Sequence, residues 1–204
     1  MAIKYNPSTA NQKSTEEHGA YYLADNPNLY EIQRSNNYEL IITDIDNIVK
    51  AGYLGTESNA KIANAQEVLR LSCKNCPVPH FSQNVIEVKR GNTTLRYAGT
   101  PNYETGSIQF YDYIGAQTKD VLMAWQNLSY NYRTEKVGLV QDYKKDCYLI
   151  EYSPDYQVVR KWVLKGCWIN SISEDAFESD SNNAHLVSGS ITYDYSYIDT
   201  SEDI

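Results

Sequence analysis

Apolar and polar residues alternate in several short stretches of the chain, and the clearest of these spans residues 105–111. Ile108 and Phe110 fall on one face, while Thr105, Ser107 and Gln109 fall on the other. Because successive side chains of a strand point to opposite sides of the sheet, this stretch predicts a strand with one face for a core and one for water.

The same alternation runs from His185 to Tyr197 and predicts a closing strand. Its apolar face would hold every second residue from Val187 to Tyr197, and its polar face Ser188, Ser190, Thr192, Asp194 and Ser196. A wet face without Lys or Arg is compatible with the lining of an aqueous channel, and equally with an ordinary solvent-exposed sheet face.

Further strands are predicted at residues 37–44 and 67–73, and two hairpins complete the set. One hairpin pairs residues 85–90 with 93–97 around Gly91-Asn92, a turn that favours positive φ. The other pairs residues 147–152 with 158–165 around Ser153-Pro-Asp, and its second arm continues through Cys167-Trp-Ile. On that arm Trp162, Leu164 and Trp168 share one face, which fits a core or a platform for stacking sugars.

One helix is predicted from Thr118, which can cap it, with Asp120 near its positive end. Many strands, one helix and no βαβ rhythm predict a mainly antiparallel β-sandwich or barrel with one attached helix. The candidate core residues are Ile108, Phe110, Val121, Leu122, Trp125, Leu128, Trp162, Leu164, Trp168 and Ile191.

The 204 residues are expected to form one domain with extensions. Residues 1–33, rich in Asn, Ser, Thr and Ala without a sustained period, are predicted to be a flexible arm. The β domain would span 34–199, with an insertion at 45–65 and an acidic end at 200–204.

Composition narrows the classes of function. Tyrosine occurs 19 times, against three Phe and three Trp, and suits surfaces that are buried on assembly yet soluble beforehand. The net charge of −8, with no Lys or Arg after Lys165, argues against tight binding to nucleic acid. No apolar run approaches the length of a membrane span or a signal peptide, so we expect synthesis in a cytoplasm, reduced cysteines and no membrane association.

Motifs for catalysis or metal binding are weak. Cys73-Lys-Asn-Cys76 has no second pair at that spacing, Cys147 and Cys167 lie in separate predicted strands, and the three histidines are scattered. No phosphate-binding, nucleophile-elbow or zinc-protease motif occurs. We therefore expect no catalytic residues, no metal, no cofactor and no enzymatic activity.

Several segments, read in order, resemble the tail tube proteins of T4-like contractile-tailed bacteriophages. They cover residues 34–199 and include the approach to the first strand, the proline-containing loop at 76–82, and a strand–helix unit around Trp125. The longest are Trp162-Val-Leu-Lys-Gly-Cys-Trp-Ile-Asn-Ser-Ile-Ser, followed by Asp180-Ser-Asn-Asn, and the closing Val187-Ser-Gly-Ser-Ile-Thr-Tyr-Asp-Tyr.

The resemblance implies a structural virion protein of the phage tail, assembled in the host bacterial cytoplasm. Its hexameric rings would stack into a tube inside a contractile sheath, meet baseplate and tape measure proteins, and let genome DNA pass through the lumen without tight binding. Joining sheets between copies would also remove exposed sheet edges. Candidate lumen-facing residues are Ser188, Ser190, Thr192, Asp194, Thr105, Ser107 and Gln109.

The long N-terminal region and the insertion depart from that family, and they raise the alternative of a specialised ring near the baseplate or neck. A type VI secretion-like ring protein, or a tube initiator or terminator, would share the architecture. A carbohydrate-binding β-sandwich is the alternative from another class, and an enzyme would require a pocket of perturbed titratable groups.

Overall fold

The computed structural model describes residues 31–46, 64–115, 117–180 and 182–200. The fold below belongs to the unit Asn36–Ile204. Most of the predicted arm (1–33) and insertion (45–65), and all but the first residue of the acidic end (200–204), lie outside the described residues, so these boundaries remain predictions.

Strands dominate the described part of the chain, as predicted. They are β1 (Tyr38–Ile42), β2 (Cys73–Asn75), β3 (Phe81–Arg90), β4 (Thr93–Tyr103), β5 (Gly106–Tyr111), β6 (Tyr130–Asn131), β7 (Lys136–Val137), β8 (Lys145–Tyr152), β9 (Val158–Glu174), β10 (Leu186–Thr192) and β11 (Tyr195–Ile198). The helices that lie wholly within the described ranges are α1 (Ala65–Ser72), α2 (Thr118–Ser129) and the single turn α3 (Val140–Tyr143). All strand pairs are antiparallel, which confirms the predicted fold class.

Seven strands form one sheet in the order β1–β8–β9–β10–β5–β2, with β11 also paired to β9. The long strand β9 serves two halves of this sheet. Its first part pairs with β8 and β11, and from Trp168 onward it pairs with β10. Gly166 lies at the change of partner with a φ of +70°, which favours glycine, and a Cβ there would have to displace the Asp194 carboxylate.

The core lies between the sheet and the helices α1 and α2. It is built by alternate residues of β1, β5, β8, β9 and β10 and by one stripe of each helix. Of the candidate core residues, Ile108, Phe110, Val121, Leu122, Trp125, Leu164 and Ile191 are buried, and Leu128 and Trp162 are partly buried against them. Trp168 is half-buried and packs edge-to-face on Tyr143, with ring centroids 5.9 Å apart.

The shared face proposed for Trp162 and Trp168 does not persist along the whole of β9. Leu164 and Cys167 are both buried, as is Ile169, so the buried side changes parity at the Gly166 bend. Trp162 is held by an indole N–H that donates to the Glu151 carboxylate at 2.8 Å, and Trp125 donates to the Tyr143 carbonyl at 2.8 Å.

The strand predicted at residues 67–73 is wrong: the segment is the helix α1, followed by the short strand β2. The buried residues are Ala65, Leu69 and Ser72, which are spaced by four and three, whereas Leu71 is exposed. A helix satisfies that spacing, and period two does not.

Two other boundaries differ from the prediction. Gln117 caps α2 with a φ of +53°, so Thr118 is the first helical residue, fully buried, rather than the cap. The closing strand is interrupted at Tyr193 and Asp194 and becomes two strands on different partners, β10 and β11.

Both predicted hairpins are confirmed. The hairpin β8–β9 turns at residues 153–157 and its second arm continues well past Cys167. The hairpin β3–β4 is longer than predicted, and of its two turn residues only Gly91 has positive φ.

Candidate functional site: an uncharged sheet face and an exposed hairpin

The polar positions predicted on two separate strands lie side by side in the sheet. β10 pairs with β5 in a register that places Ser188 opposite Gln109 and Ser190 opposite Ser107. Val187 and Ile191, which flank the two serines along β10, are buried, so the serines lie on the face that points away from the core.

The same face extends onto two further strands that the sequence analysis did not include. Ser188 lies opposite Ser173 of β9, and Ser190 opposite Ser171. At the other edge Asn75 of β2 lies opposite Gln109. We call this surface the polar face: Asn75, Ser107, Gln109, Ser171, Ser173, Ser188, Ser190 and, at its end, Thr105 and Thr192.

The polar face carries hydroxyl and amide groups only. Gln109 donates from Nε2 to Ser188 Oγ at 3.4 Å, and the hydroxyls of Thr105 and Thr192 are 3.4 Å apart. Ser107, Ser171 and Ser173 are exposed, and Ser188 and Ser190 are half-buried. Short neutral side chains of this kind offer hydrogen bonds to water and no charge to attract or repel a polyanion.

Two charged groups lie near the polar face. Glu174 follows Ser173 but pairs with the buried Val187, so it points to the helix-covered side of the sheet, where it forms an ion pair with Lys119 at 2.8 Å; the hydrogen bond from Lys119 lowers the pKa of Glu174. At the edge strand β2, Lys74 lies over the ring of Tyr111, with Nζ 5.6 Å from its centroid. These charges are therefore engaged beside the polar face rather than within it.

Asp194, the one charged residue predicted to face a lumen, lies outside the polar face. It follows β10 in the connection to β11, and its backbone N–H donates to the Lys165 carbonyl at 2.9 Å. Its two carboxylate oxygens accept from Lys144 Nζ at 2.6 and 2.7 Å. This ion pair ties the β10–β11 connection to the end of α3.

The hairpin β3–β4 differs from the strand pairs of the seven-stranded sheet because almost all of its residues are exposed. Cross-strand partners share a face, and Ile86 lies opposite Tyr97 while Val88 lies opposite Leu95. These four side chains are 39–54% exposed, so a continuous apolar strip meets water. The opposite side carries the ion pair of Glu87 with Arg96, at 3.1 Å.

The four cysteines come closer together than their positions in the sequence suggest. All are free thiols, and Cys147 and Cys167 are fully buried. Burial raises the pKa of Cys73 to about 11 and raises that of Cys76 further. Burial also raises the pKa of Cys147, with a smaller contribution from its hydrogen bond to Cys167. Thiols with raised pKa values are protonated and weakly nucleophilic near neutral pH.

Over the four described ranges, no group of three or more His, Cys, Asp or Glu side chains is placed to hold a metal ion. None of the helices seen in those ranges combines the length and apolar character that crossing a membrane requires. The surfaces that stand out are thus the polar face and the hairpin.

Comparison with solved structures places the fold among proteins of contractile injection systems. One chain from the cryo-EM structure of the PVC sheath/tube terminator of an extracellular contractile injection system, in its extended state, superimposes with a TM-score of 0.57. The match has 13% identity and covers 83% of this chain and 97% of that one.

Two further structures agree. A chain of the PVC sheath–tube complex in the extended state gives a TM-score of 0.55 at 12% identity, covering 92% of this chain and 99% of that one. A chain of the anti-feeding prophage tube-terminating cap gives 0.55 at 12% identity, covering 83% and 92%. No family model and no curated protein sequence matches the chain. At these identities the comparisons establish a shared fold.

Proposed function

We propose that this chain is a structural, non-enzymatic subunit of a tail tube, which assembles into hexameric rings that stack into a hollow conduit. The fold shared with chains of tube and tube-terminator assemblies supports this reading. The resemblance of the sequence to phage tail tube proteins favours a virion tail as its location.

The observation that carries the proposal is the exposed hairpin β3–β4. An isolated two-stranded hairpin is at best marginally stable in water, and this one also exposes an apolar strip of Ile86, Val88, Leu95 and Tyr97. A second copy of the chain would cover that strip and stabilise the hairpin at the same time. A contact between different surfaces of identical subunits closes into rings when its rotation closes.

The polar face supplies the second part of the proposal, the wall of the channel. Within one subunit it spans four strands, and joining subunits would extend it around an axis. A wall of serine, threonine and amide groups holds water and presents no cation to retain phosphates, so DNA would pass without tight binding. The sheath, baseplate and tape measure proteins would then be partners at other surfaces of the tube.

A position at the end of the tube is a second candidate, because two of the three structures compared above are assemblies at a tube terminus. A terminator or initiator ring would share the ring architecture but would add few further rings on its own. A type VI secretion-like ring protein would also share it. The length of the assemblies formed by the purified protein separates a main tube subunit from a terminal ring.

The test is negative-stain electron microscopy of the purified protein, combined with its mass in solution. We expect rings or tubes with an axial hole. A monodisperse monomer that never assembles, even when concentrated or mixed with sheath and baseplate partners, would contradict the proposal and favour a carbohydrate-binding module.

A pair of variants makes the test specific to the hairpin. Val88→Lys combined with Leu95→Glu makes the apolar strip polar while keeping a favourable cross-strand pair, so the subunit is expected to stay folded and lose assembly. Glu87→Gln combined with Arg96→Gln changes neighbouring positions on the opposite side and should leave assembly intact. Equal loss of assembly in both variants would contradict the role assigned to the apolar strip.

A further inference from the structure

The hairpin β3–β4 joins the body of the protein through two residues, His80 before it and Glu104 after it. The Glu104 backbone N–H faces the His80 carbonyl at 3.5 Å, and the two side chains meet at 3.2 Å. The Tyr193 hydroxyl accepts from the His80 N–H at 3.3 Å and donates to the His80 carbonyl at 3.2 Å. His80 therefore ties the base of the hairpin to Tyr193, the residue that directly follows β10.

Both ring nitrogens of His80 face groups that only accept hydrogen bonds. Nδ1 lies 3.2 Å from the Val78 carbonyl oxygen, and Nε2 lies 3.2 Å from a carboxylate oxygen of Glu104. A neutral imidazole donates from one nitrogen and carries a lone pair on the other, so it satisfies one of these contacts and opposes the other. Only the imidazolium, which donates from both nitrogens, satisfies the two together.

The groups around His80 do not oppose that charge. The ionisable side chains of its surroundings are Glu104, which attracts a proton to His80, and Cys76 and Tyr193, both neutral near pH 7. The imidazole is well exposed to solvent, so a change of pH reaches it directly. Nothing in this environment slows the exchange of its proton.

We propose that His80 is a proton-dependent latch, which fixes the base of the hairpin when it is charged and loosens it when it is neutral. As a consequence that rests on the proposed function, assembly through the hairpin weakens as His80 loses its proton. The latch is reversible because it depends only on the binding and release of a proton.

The direction of the pH dependence follows from the two contacts. The Val78 carbonyl and then the Glu104 carboxylate raise the pKa of His80 above its usual value. A raised pKa means that the latch is fully present below the usual histidine pKa and is lost as the pH rises through the higher, folded-state value. The fixed state of the hairpin is thus the one at lower pH.

The first experiment follows the His80 ring by NMR while the pH is varied, using the full chain carrying Val88→Lys and Leu95→Glu so that it stays monomeric. We expect the His80 midpoint to lie above the usual histidine value and to fall in a further Glu104→Gln variant. A midpoint at or below the usual value, or one that Glu104→Gln leaves unchanged, would overturn the proposal.

The second experiment measures hydrogen exchange of the hairpin amides in the same chain across that pH range, corrected for intrinsic exchange. Opening of the hairpin base is expected to increase about two- to threefold as His80 loses its proton, the size typical of an exposed ion pair. His80→Gln should abolish this pH dependence, and His185→Gln, the matched control, should keep it. Identical pH dependence in all three chains would overturn the latch.

These readouts are made on a monomer and so do not require a tube. If the purified protein never assembles but His80 titrates and loosens the hairpin as described, the latch stands and the proposed function fails. If tubes form with the same pH dependence in wild type and His80→Gln, while the monomer readouts also show no latch, the proposed function stands and the latch fails.

Discussion

The polar face and the hairpin β3–β4 use the same alternation of side chains with opposite results. In β5 and β10 the apolar residues Ile108 and Ile191 are buried, and the serines between them face outward. In β3 and β4 the apolar residues Ile86 and Leu95 are as regular, yet they face water. Alternation therefore defines two faces of a strand, but it does not say what covers each one.

The difference lies in what the rest of the chain supplies. The inner face of the sheet is covered by α1 and α2, whose stripes include Leu69, Val121 and Trp125. No part of the described chain plays that role for the hairpin, whose residues are exposed on both sides. An apolar strip left in this state indicates a surface that another molecule covers.

The largest effect that tests this comparison comes from removing the same side chain in the two regions. Ile108→Ala should lower the free energy of unfolding by about 2–5 kcal/mol, because it leaves a cavity in the core beside Gly189. Ile86→Ala, at a residue 52% exposed, should change the free energy of unfolding by less than about 0.5 kcal/mol. Chemical denaturation of the dilute subunit measures both.

The two variants should affect assembly in different ways: Ile86→Ala directly, and Ile108→Ala only through unfolding. Ile86→Ala is expected to weaken assembly of a subunit that remains folded, whereas Ile108→Ala affects assembly only to the extent that it unfolds the subunit. Equal destabilisation of the dilute subunit by the two variants would mean that the hairpin is covered within the monomer, which would contradict the comparison.

A charge placed on the polar face tests its role as a channel wall. Ser190 lies between Ser107 and Ser171, and Ser190→Arg is expected to change the free energy of unfolding by less than about 0.5 kcal/mol. In a ring, each subunit would add one cation to the channel. Tubes of the variant should then retain nucleic acid, with a binding constant that falls steeply as salt increases.

The control for that variant is Gln157→Arg, which adds the same charge in the exposed turn between β8 and β9. Nucleic acid recovered from purified tubes after nuclease treatment is the measurement. Equal retention by both variants would show that net charge alone matters, and would remove the support for Ser190 as a wall residue.

Much of this fold follows from local pattern, and its failures have physical causes. The alternation at 105–111 and 185–197 predicted two strands, and the pairing of β5 with β10 brings Ser107 and Gln109 beside Ser190 and Ser188. Ser171, Ile172 and Ser173 alternate just as regularly, and a prediction based on this alternation would have added β9 to the polar face. The stretch from Trp162 that contains these residues contributed only to the resemblance to tail tube proteins.

Other features depend on distant partners that a local pattern does not contain. The break between β10 and β11 brings Asp194 into contact with the Lys144 side chain, just before β8, and with the Lys165 carbonyl in β9. Both partners are distant from Asp194 along the chain. The helix α1 was missed because a window of seven residues with Val68, Leu69 and Leu71 fits either period, and the earlier Ala65 decides between them. The hairpin is likewise exposed because no described part of the chain packs against it, and the sequence of the hairpin itself does not reveal this.

The smallest effect concerns the ion pair that joins Lys119 of α2 to Glu174 of β9 at 2.8 Å, on the side of the sheet opposite to the polar face. Lys119→Met should lower the free energy of unfolding by about 0.2–1 kcal/mol at neutral pH, as expected for a partly exposed ion pair. The pair lowers the pKa of Glu174, so its contribution is present above the usual glutamate pKa and is lost as the pH falls through the folded-state value. The difference in melting temperature between wild type and variant should therefore shrink toward zero in acid.

Lys136→Met removes the same charge from the exposed strand β7 and should show no such change with pH. A difference that persists at low pH would mean that Lys119 stabilises the fold by packing along α2 and not by its charge.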